Sequence, residues 1–213
     1  MKKGPLTIKD IAKALNVSPS TVSRALNDNP DISLETRQMV QAYAREHKYT
    51  PNTLALSLRT NHSHIIGVIV PELANHFFSG VLSGMEMVAE EQDYQIIVCQ
   101  SQEEYEKEVR NVHTLMNARV CGVLVSMAKT TGKYNHFQEL IDSGVPVIFF
   151  DRICTGVDSE KVVVDDYNGT LSAVDYMIKT GCKRIDFFSA PLNLEISKNR
   201  RNGYLDALRK HHI

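Results

Sequence analysis

The hydrophobic period of this 213-residue sequence changes once, near residue 64, and that change limits the folds open to it. Upstream, apolar residues recur at helical spacing in short blocks; downstream, continuous apolar runs alternate with helical stretches. Ile8, Ile11, Ala12 and Leu15 fall at i, i+3, i+4 and i+7, behind Thr7 and Asp10 at the spacing of a capping box. Asn16 and Val17 interrupt the pattern. Ser18 can then cap a second helix with Pro19 at its first position, where a missing N–H costs nothing. Val22, Ala25 and Leu26 form its inner stripe, leaving Ser20, Thr21, Ser23, Arg24 and Asn27 on the outer face. Asp28-Asn29-Pro30 closes it, and Ser33 caps a third helix with Met39, Val40, Tyr43 and Ala44 inward.

Two short helices joined by a tight turn, the second polar outside, describe a helix-turn-helix whose second helix reads the major groove. Periodicity fits a small helical bundle with no nucleic-acid role equally well. Charge adds a lean towards DNA. Residues 1–60 carry nine Lys or Arg against five Asp or Glu, a net of +4, while the remainder carries 15 against 20, a net of −5. A basic head on an acidic body suggests a nucleic-acid module joined to something with another partner.

The body begins with Ile65-Ile66-Gly67-Val68-Ile69-Val70, the unbroken apolar run of a buried parallel strand. A helix over 77–91 follows, with Val81, Met85 and Val88 inward. Strand 95–99, helix 103–118, strand 122–125, helix 134–142 and strand 145–150 come next, then a short strand at 162–164. Helix 169–179, strand 184–188 and helix 196–211 complete the pattern, which reads as an open doubly wound α/β sheet. Such sheets bind ligands beyond the carboxyl ends of their strands. That rule gathers His76, Phe77, Phe78, Ser126, Asp151, Arg152 and Asp166 at one crevice; the alternative for Phe77 and Phe78 is core packing.

Catalysis finds little support. The turn after the first strand, Pro71 to His76, has no glycine with which to cradle a phosphate, and no G-x-S-x-G or H-E-x-x-H occurs. Asp165 and Asp166 read as a helix entry rather than an acid–base pair. Cys99, Cys121, Cys154 and Cys182 show neither C-x-x-C pairing nor zinc spacing, and read as reduced thiols with buried structural roles. His62, His64, His211 and His212 read as solvated. No metal or cofactor is expected. No signal peptide stands at the N-terminus and no apolar run is long enough to span a bilayer, which points to a cytoplasmic protein.

The segment T-I-K-D-I-A-K-A-L-N-V-S-P-S-T-V-S-R-A-L-N closely resembles the head of the LacI/GalR family of bacterial transcription regulators. Tyr49-Thr50-Pro51-Asn52 and Leu54-Ala55-Leu56-Ser57-Leu58-Arg59 resemble that family's hinge helix. The resemblance implies a repressor that binds a near-palindromic operator as a homodimer, with Arg24 reading a base and Pro19 and Ser20 at the neighbouring specificity positions. Pro19 has no donor, so discrimination there rests on apolar contact or shape. It makes Thr7, Ser18, Thr21, Ser23, Asn27, Ser33, Tyr49 and Asn52 phosphate-side contacts. Leu58 becomes an apolar wedge between base steps and Arg59 its minor-groove companion, unless Leu54 and Leu58 simply pack on a domain. Residues 1–50 would be the DNA-binding domain, 51–63 the hinge and linker, 64–165 a first lobe like those of periplasmic sugar-binding proteins, and 166–213 the start of a second. In that core Phe77 and Phe78 would face a ring, Asp151 would accept from hydroxyls, and Arg200 of R-R-N-G-Y would join the small-molecule effector site. The family's second lobe needs more strands than 166–213 can supply. The chain therefore reads as truncated, with effector control and dimerisation expected to be impaired. A ligand-binding protein without DNA function and a Rossmann-type enzyme are the competing readings.

Overall fold

The computed structural model describes residues 6–49, 63–190 and 192–213. The chain divides into two compact units, Met1–Asn61 and His62–Ile213.

The first unit holds α1 (Ile8–Ala14), α2 (Pro19–Leu26) and α3 (Leu34–Glu46). Each starts on the expected cap. Thr7 Oγ1 accepts Asp10 N at 3.3 Å while Thr7 N donates back to Asp10 Oδ2 at 2.9 Å. Ser18 Oγ accepts Thr21 N at 3.0 Å, and Ser33 Oγ accepts Thr36 N at 3.3 Å. Each helix is followed by a left-handed residue, Asn16, Asp28 or Lys48. The next amide then reaches back five residues, as in Val17 N to Ala12 O at 3.0 Å and Tyr49 N to Ala44 O at 2.8 Å. Ile11, Ala12, Val22, Ala25, Val40 and Ala44 form the core, with Leu6, Leu15, Leu26, Tyr43 and Tyr49 around it. Two expectations fail at the stripe edges. Met39 is 41% exposed, because the inner face of α3 runs through Val40, Tyr43 and Ala44 and leaves its predecessor one helical step outside. Ser23 is buried on the flank of α2, where a small side chain lets the helices close.

The second unit is a five-stranded parallel sheet in the order β2-β1-β3-β4-β5. The strands are β1 (Ile65–Val70), β2 (Gln95–Gln100), β3 (Gly122–Val125), β4 (Val147–Phe150) and β5 (Glu160–Val162). Between them run α4 (His76–Glu91), α5 (Tyr105–Asn117) and α6 (Asn135–Asp142), followed by α7 (Asp166–Lys179) and α8 (Glu195–Lys210). Alternation along the strands builds two cores. Ile69, Val123, Val125, Val147 and Phe149 pack with Val112, Leu115, Phe137 and Leu140 of α5 and α6. Val68, Val70 and Phe150 pack with Phe78 of α4, flanked by Val81, Leu82 and Met85. Gly67 faces Leu115, whose methyl would stand 2.6 Å from an added Cβ.

Several sequence expectations change here. Val88 is 55% exposed, since the inner stripe of α4 is Phe78, Val81, Leu82, Met85 and Ala89. The fifth strand lies at 160–162 and not at 162–164, as an exposed edge strand. Residues 184–188 form no strand. Among the described residues no strand offers them a ladder, and they lean on α8 instead, with Phe187 stacked 5.0 Å from Tyr204 and Tyr204 Oη donating to Ile185 O at 2.8 Å. Phe188 is 96% exposed. Asp165 caps α7 by accepting Asn168 N at 3.0 Å, which starts that helix three residues earlier than its apolar pattern. His211 is not solvated. With Lys179 and Lys210 it surrounds Asp175, its Nε2 lying 2.5 Å from Asp175 Oδ1, and these bonds hold that carboxyl well below the usual range. Cys154 is buried and Cys99 and Cys121 half-buried, but Cys182 is exposed in the turn after α7.

Among the described residues no helix is long and apolar enough to cross a membrane, and no cluster of His, Cys, Asp or Glu could hold a metal ion. In the second unit α7 and α8 approach closely at Gly203. A Cβ on Gly203 would lie 2.4 Å from Tyr167 O, a backbone atom that cannot swing aside. Gly203→Ala is expected to destabilise the second unit by about 1–3 kcal/mol through overpacking, despite the better helix propensity of alanine. A lowered urea midpoint with an unchanged slope would show it; an unchanged midpoint would mean the two helices are free to separate.

Candidate functional site

In the first unit the outer face of α2 is what the sequence outlines. Pro19, Ser20, Arg24 and Asn27 are exposed, and Thr21 is half-buried. The Ser18 hydroxyl lies 2.7 Å from that of Ser20 and 2.8 Å from that of Thr21, a hydroxyl cluster on the positive end of the helix. Arg24 stands one turn on. Its guanidinium makes no bond to other described residues, so its donors face outward over an open depression of about 570 Å³ lined also by Ser20, Asn27 and Pro30.

Other positioning candidates are already bonded to the protein. Asn27 Nδ2 donates to Ser23 O at 2.8 Å, and Thr7 Oγ1 donates to Asp10 Oδ2 at 2.6 Å. Ser33 Oγ donates to Thr36 Oγ1 at 2.8 Å. Tyr49 packs on the head core, and burial pushes its phenol up. Asn52, Leu58 and Arg59 lie outside the described residues.

Sequence reasoning missed what holds α2 in place. Gln41 Nε2 donates to Ala25 O at 3.2 Å and to Asp28 Oδ1 at 2.9 Å, and Arg37 Nη1 donates to Asp28 O at 3.3 Å. The signal was available: Arg37 and Gln41 are an i, i+4 polar pair on the flank of an apolar stripe.

In the second unit the chain leaves β1, β3 and β4 at one end of the sheet, where the order reverses between β1 and β3. Ser126 follows β3, Asp151 and Arg152 follow β4, and Asp166 opens α7. These side chains and Arg200 of α8 do meet. Arg200 Nε donates to Asp166 Oδ1 at 2.8 Å, and Arg152 Nε lies 3.9 Å from Asp151 Oδ2. Asp151 sits in left-handed backbone at φ 58°. Burial raises its carboxyl, partly offset by Arg152 and Arg200; Asp166 pushes further up and Ser126 slightly down. The buried Ser126 hydroxyl lies beside that carboxyl.

Phe77 is 50% exposed and Phe78 is in the core, so position 78 takes the packing role. The Arg152 guanidinium carbon lies 5.8 Å from the Phe78 ring centroid, a cation–π distance. Glu103, absent from the sequence reading, holds Arg152. Both its carboxyl oxygens accept from Arg152 Nη1, at 2.8 and 2.7 Å, and Lys129 N donates to it at 2.8 Å. Burial works to raise Glu103, but these bonds outweigh it and keep the group below its ordinary value. Nothing local in Q-E-E-Y distinguishes Glu103 from Glu104; only the fold brings it to Arg152.

Residues 7–52 match the family pattern described as bacterial regulatory proteins, lacI family, and residues 63–213 match periplasmic binding proteins and sugar binding domain of LacI family. The chain belongs to the LacI family. It is similar to the ribose operon repressor of Bacillus subtilis (strain 168), 34% identical over 96% of this chain and 60% of that protein. It is also similar to catabolite control protein A of Priestia megaterium, 31% identical over 95% of this chain and 61% of that protein. The fold matches the lac repressor dimer bound to operator and the anti-inducer ONPF, with a TM-score of 0.83 and 25% identity over 99% of this chain and 63% of that one. The chain thus spans about 60% of the length of the relatives it matches. Those relatives are regulators.

Asp151 supplies a pH test of the crevice. Its folded value lies above its unfolded one, so the ionised carboxyl lowers stability at neutral pH; that cost starts to fall as pH drops to the folded value and is gone below the unfolded one. Asp151→Asn, which tolerates the left-handed backbone, is expected to raise the urea midpoint at pH 7 and to match wild type near the acid limit. A lower midpoint at pH 7 would mean that Arg152 and Arg200 more than repay its burial.

Proposed function

We propose that this protein is a sequence-specific DNA-binding repressor of transcription which, in its intact form, acts in the cytoplasm as a homodimer. Its operator affinity is set by a small-molecule effector, a sugar or related metabolite, held at the crevice beyond β1, β3 and β4. One observation carries the reading: a DNA-binding pattern over residues 7–52 runs directly into a sugar-binding pattern over 63–213 on a single chain. The donors of Arg24, which bond no other described residue, support it from the geometry.

In this reading Arg24 contacts a guanine edge, with Pro19 and Ser20 tuning the adjacent positions. Ser18, Thr21 and the amides at the start of α2 take phosphate, while Thr7, Ser23, Asn27, Ser33, Tyr49 and Asn52 set register. Leu58 is inserted between base steps and Arg59 enters the minor groove beside it. Ser126, Asp151, Arg152, Asp166 and Arg200 hold the effector, with Phe77 offering its exposed ring. Effector and operator are coupled because each favours one of two arrangements of the pair of subunits. The protein performs no catalysis.

Selection from random duplex DNA tests the reading, which requires enrichment of a near-palindromic site; a pool that stays unenriched sinks it. At the selected site Arg24→Ala should cost about 1–3 kcal/mol in a gel-shift titration and relax preference at one base pair per half-site. Leu58→Ala should weaken binding and reduce the bend read by circular permutation of the site. An unaltered bend would count against the wedge.

A further inference from the structure

One deeply buried polar cluster lies outside the residues assigned to effector or DNA, and most of its bonds lead to the loop that follows β3. Glu108, in the first turn of α5, is fully buried. Its carboxyl oxygens accept from Ala128 N at 2.7 Å and Thr131 Oγ1 at 2.6 Å, and His136 Nε2 lies 3.0 Å away. His136 is also buried, with the rings of Tyr105 and Phe137 at 5.4 and 3.9 Å, and its Nδ1 has no hydrogen-bond partner among the described residues.

Glu103, just before the same helix, bonds the two residues between. Lys129 N donates to its side chain, and Thr130 Oγ1 donates to its carbonyl at 3.0 Å while accepting Tyr105 N at 2.8 Å. Four consecutive residues, Ala128 to Thr131, are thus each tied to the start of α5. Met127 is tied to the crevice: its N–H donates to Arg152 O at 3.1 Å, and Arg152 Nη1 donates to its carbonyl at 3.4 Å.

An apolar side chain would fill the place of Glu108 without desolvating a carboxyl group. A buried carboxyl with two of its three bonds on one loop, and the third to His136 of α6, instead selects one arrangement of that loop. We propose that Glu103 and Glu108 are positioning residues for the effector crevice. They make the 126–131 loop a preformed wall, so that Ser126 and Arg152 stand ready before a ligand arrives and ligand binding need not order them. This rests on the crevice being the effector site.

The test compares the full chain with Glu108→Gln, Thr131→Val and Thr131→Ser. Thr131→Val removes one donor at nearly constant shape, which protects the experiment if Glu108→Gln fails to fold. In Thr131→Val the amides of 127–131 are expected to exchange with deuterium about tenfold faster, while those of β1 and β3 keep their protection. The Arg152 Nε–H resonance should exchange faster in step, and Thr131→Ser should restore both. Unaltered loop exchange, an unaltered Arg152 signal, or an equal rise throughout β1 and β3 would each overturn the proposal. Calorimetric titration with D-ribose and D-glucose adds a binding arm. Where wild type takes up either sugar, Thr131→Val should bind it about fivefold more weakly, and equal affinity would overturn the positioning role. Where wild type takes up neither, these two sugars are not its effectors, and the exchange and Arg152 signals still decide the proposal.

Discussion

Arg152 brings a guanidinium to a place where only 15% of its side chain reaches solvent, and the carboxyl end of the sheet is arranged around it. A charge so placed is tolerable only with an opposite charge and satisfied donors. Glu103 supplies the first, the Met127 carbonyl takes one donor, and the face of Phe78 lies beneath. Those contacts join the end of β4 to the entry of α5 and to the loop after β3. The crevice is therefore tied to three elements of the fold through one side chain. The same construction explains the burial of Phe78: the ring has work beneath Arg152 and in the α4-side core, which removes it from the surface that a ligand could touch.

The first unit is held together by a different principle. Its bonds are local: three capped starts, three left-handed stops and a core of six small or medium apolar side chains. A core that small buries little area, so each cap is a large share of what keeps α2 presented at a fixed angle. The longer-range bonds that matter are those of Arg37 and Gln41 to the end of α2. They hold the helix from behind and leave its outer face to a partner.

This contrast explains what could be read from the sequence. Thr7, Ser18, Pro19 and Ser33 announce their helices because capping needs particular side chains at fixed spacing, and all four stand where that chemistry puts them. The parallel strands were legible for a similar reason, since strands buried on both faces need runs such as Ile65 to Val70. The pattern fails where tertiary contacts decide. Met39 and Val88 are apolar residues one step outside their stripes, and residues 184–188 have strand composition but no strand to pair with. At the crevice, Ser126, Asp151, Arg152 and Asp166 follow from the rule for open sheets. Glu103 and Glu108 do not, because α5 reaches the site from the side and its sequence reads as an ordinary amphipathic helix.

Asp151 and Glu103 bring this to its physical point. The two carboxyl groups flank one arginine, yet the balance shifts them in opposite directions: Glu103 lies below its ordinary value and Asp151 above. Glu103 has two oxygens on Arg152 and a backbone donor besides, whereas Asp151 lies at 3.9 Å, carries left-handed backbone and has Asp166 as a like-charged neighbour. One carboxyl is thus satisfied by the protein and the other is held in a place that the protein does not fully satisfy. Neutral or apolar side chains would be more comfortable at position 151. Asp151 is kept partly desolvated beside the buried hydroxyl of Ser126, so donors brought to it would lower the cost of its burial. The two acids thus divide the labour: Glu103 ties Arg152 to the loop after β3, and Asp151 stands at the crevice with its charge only partly met.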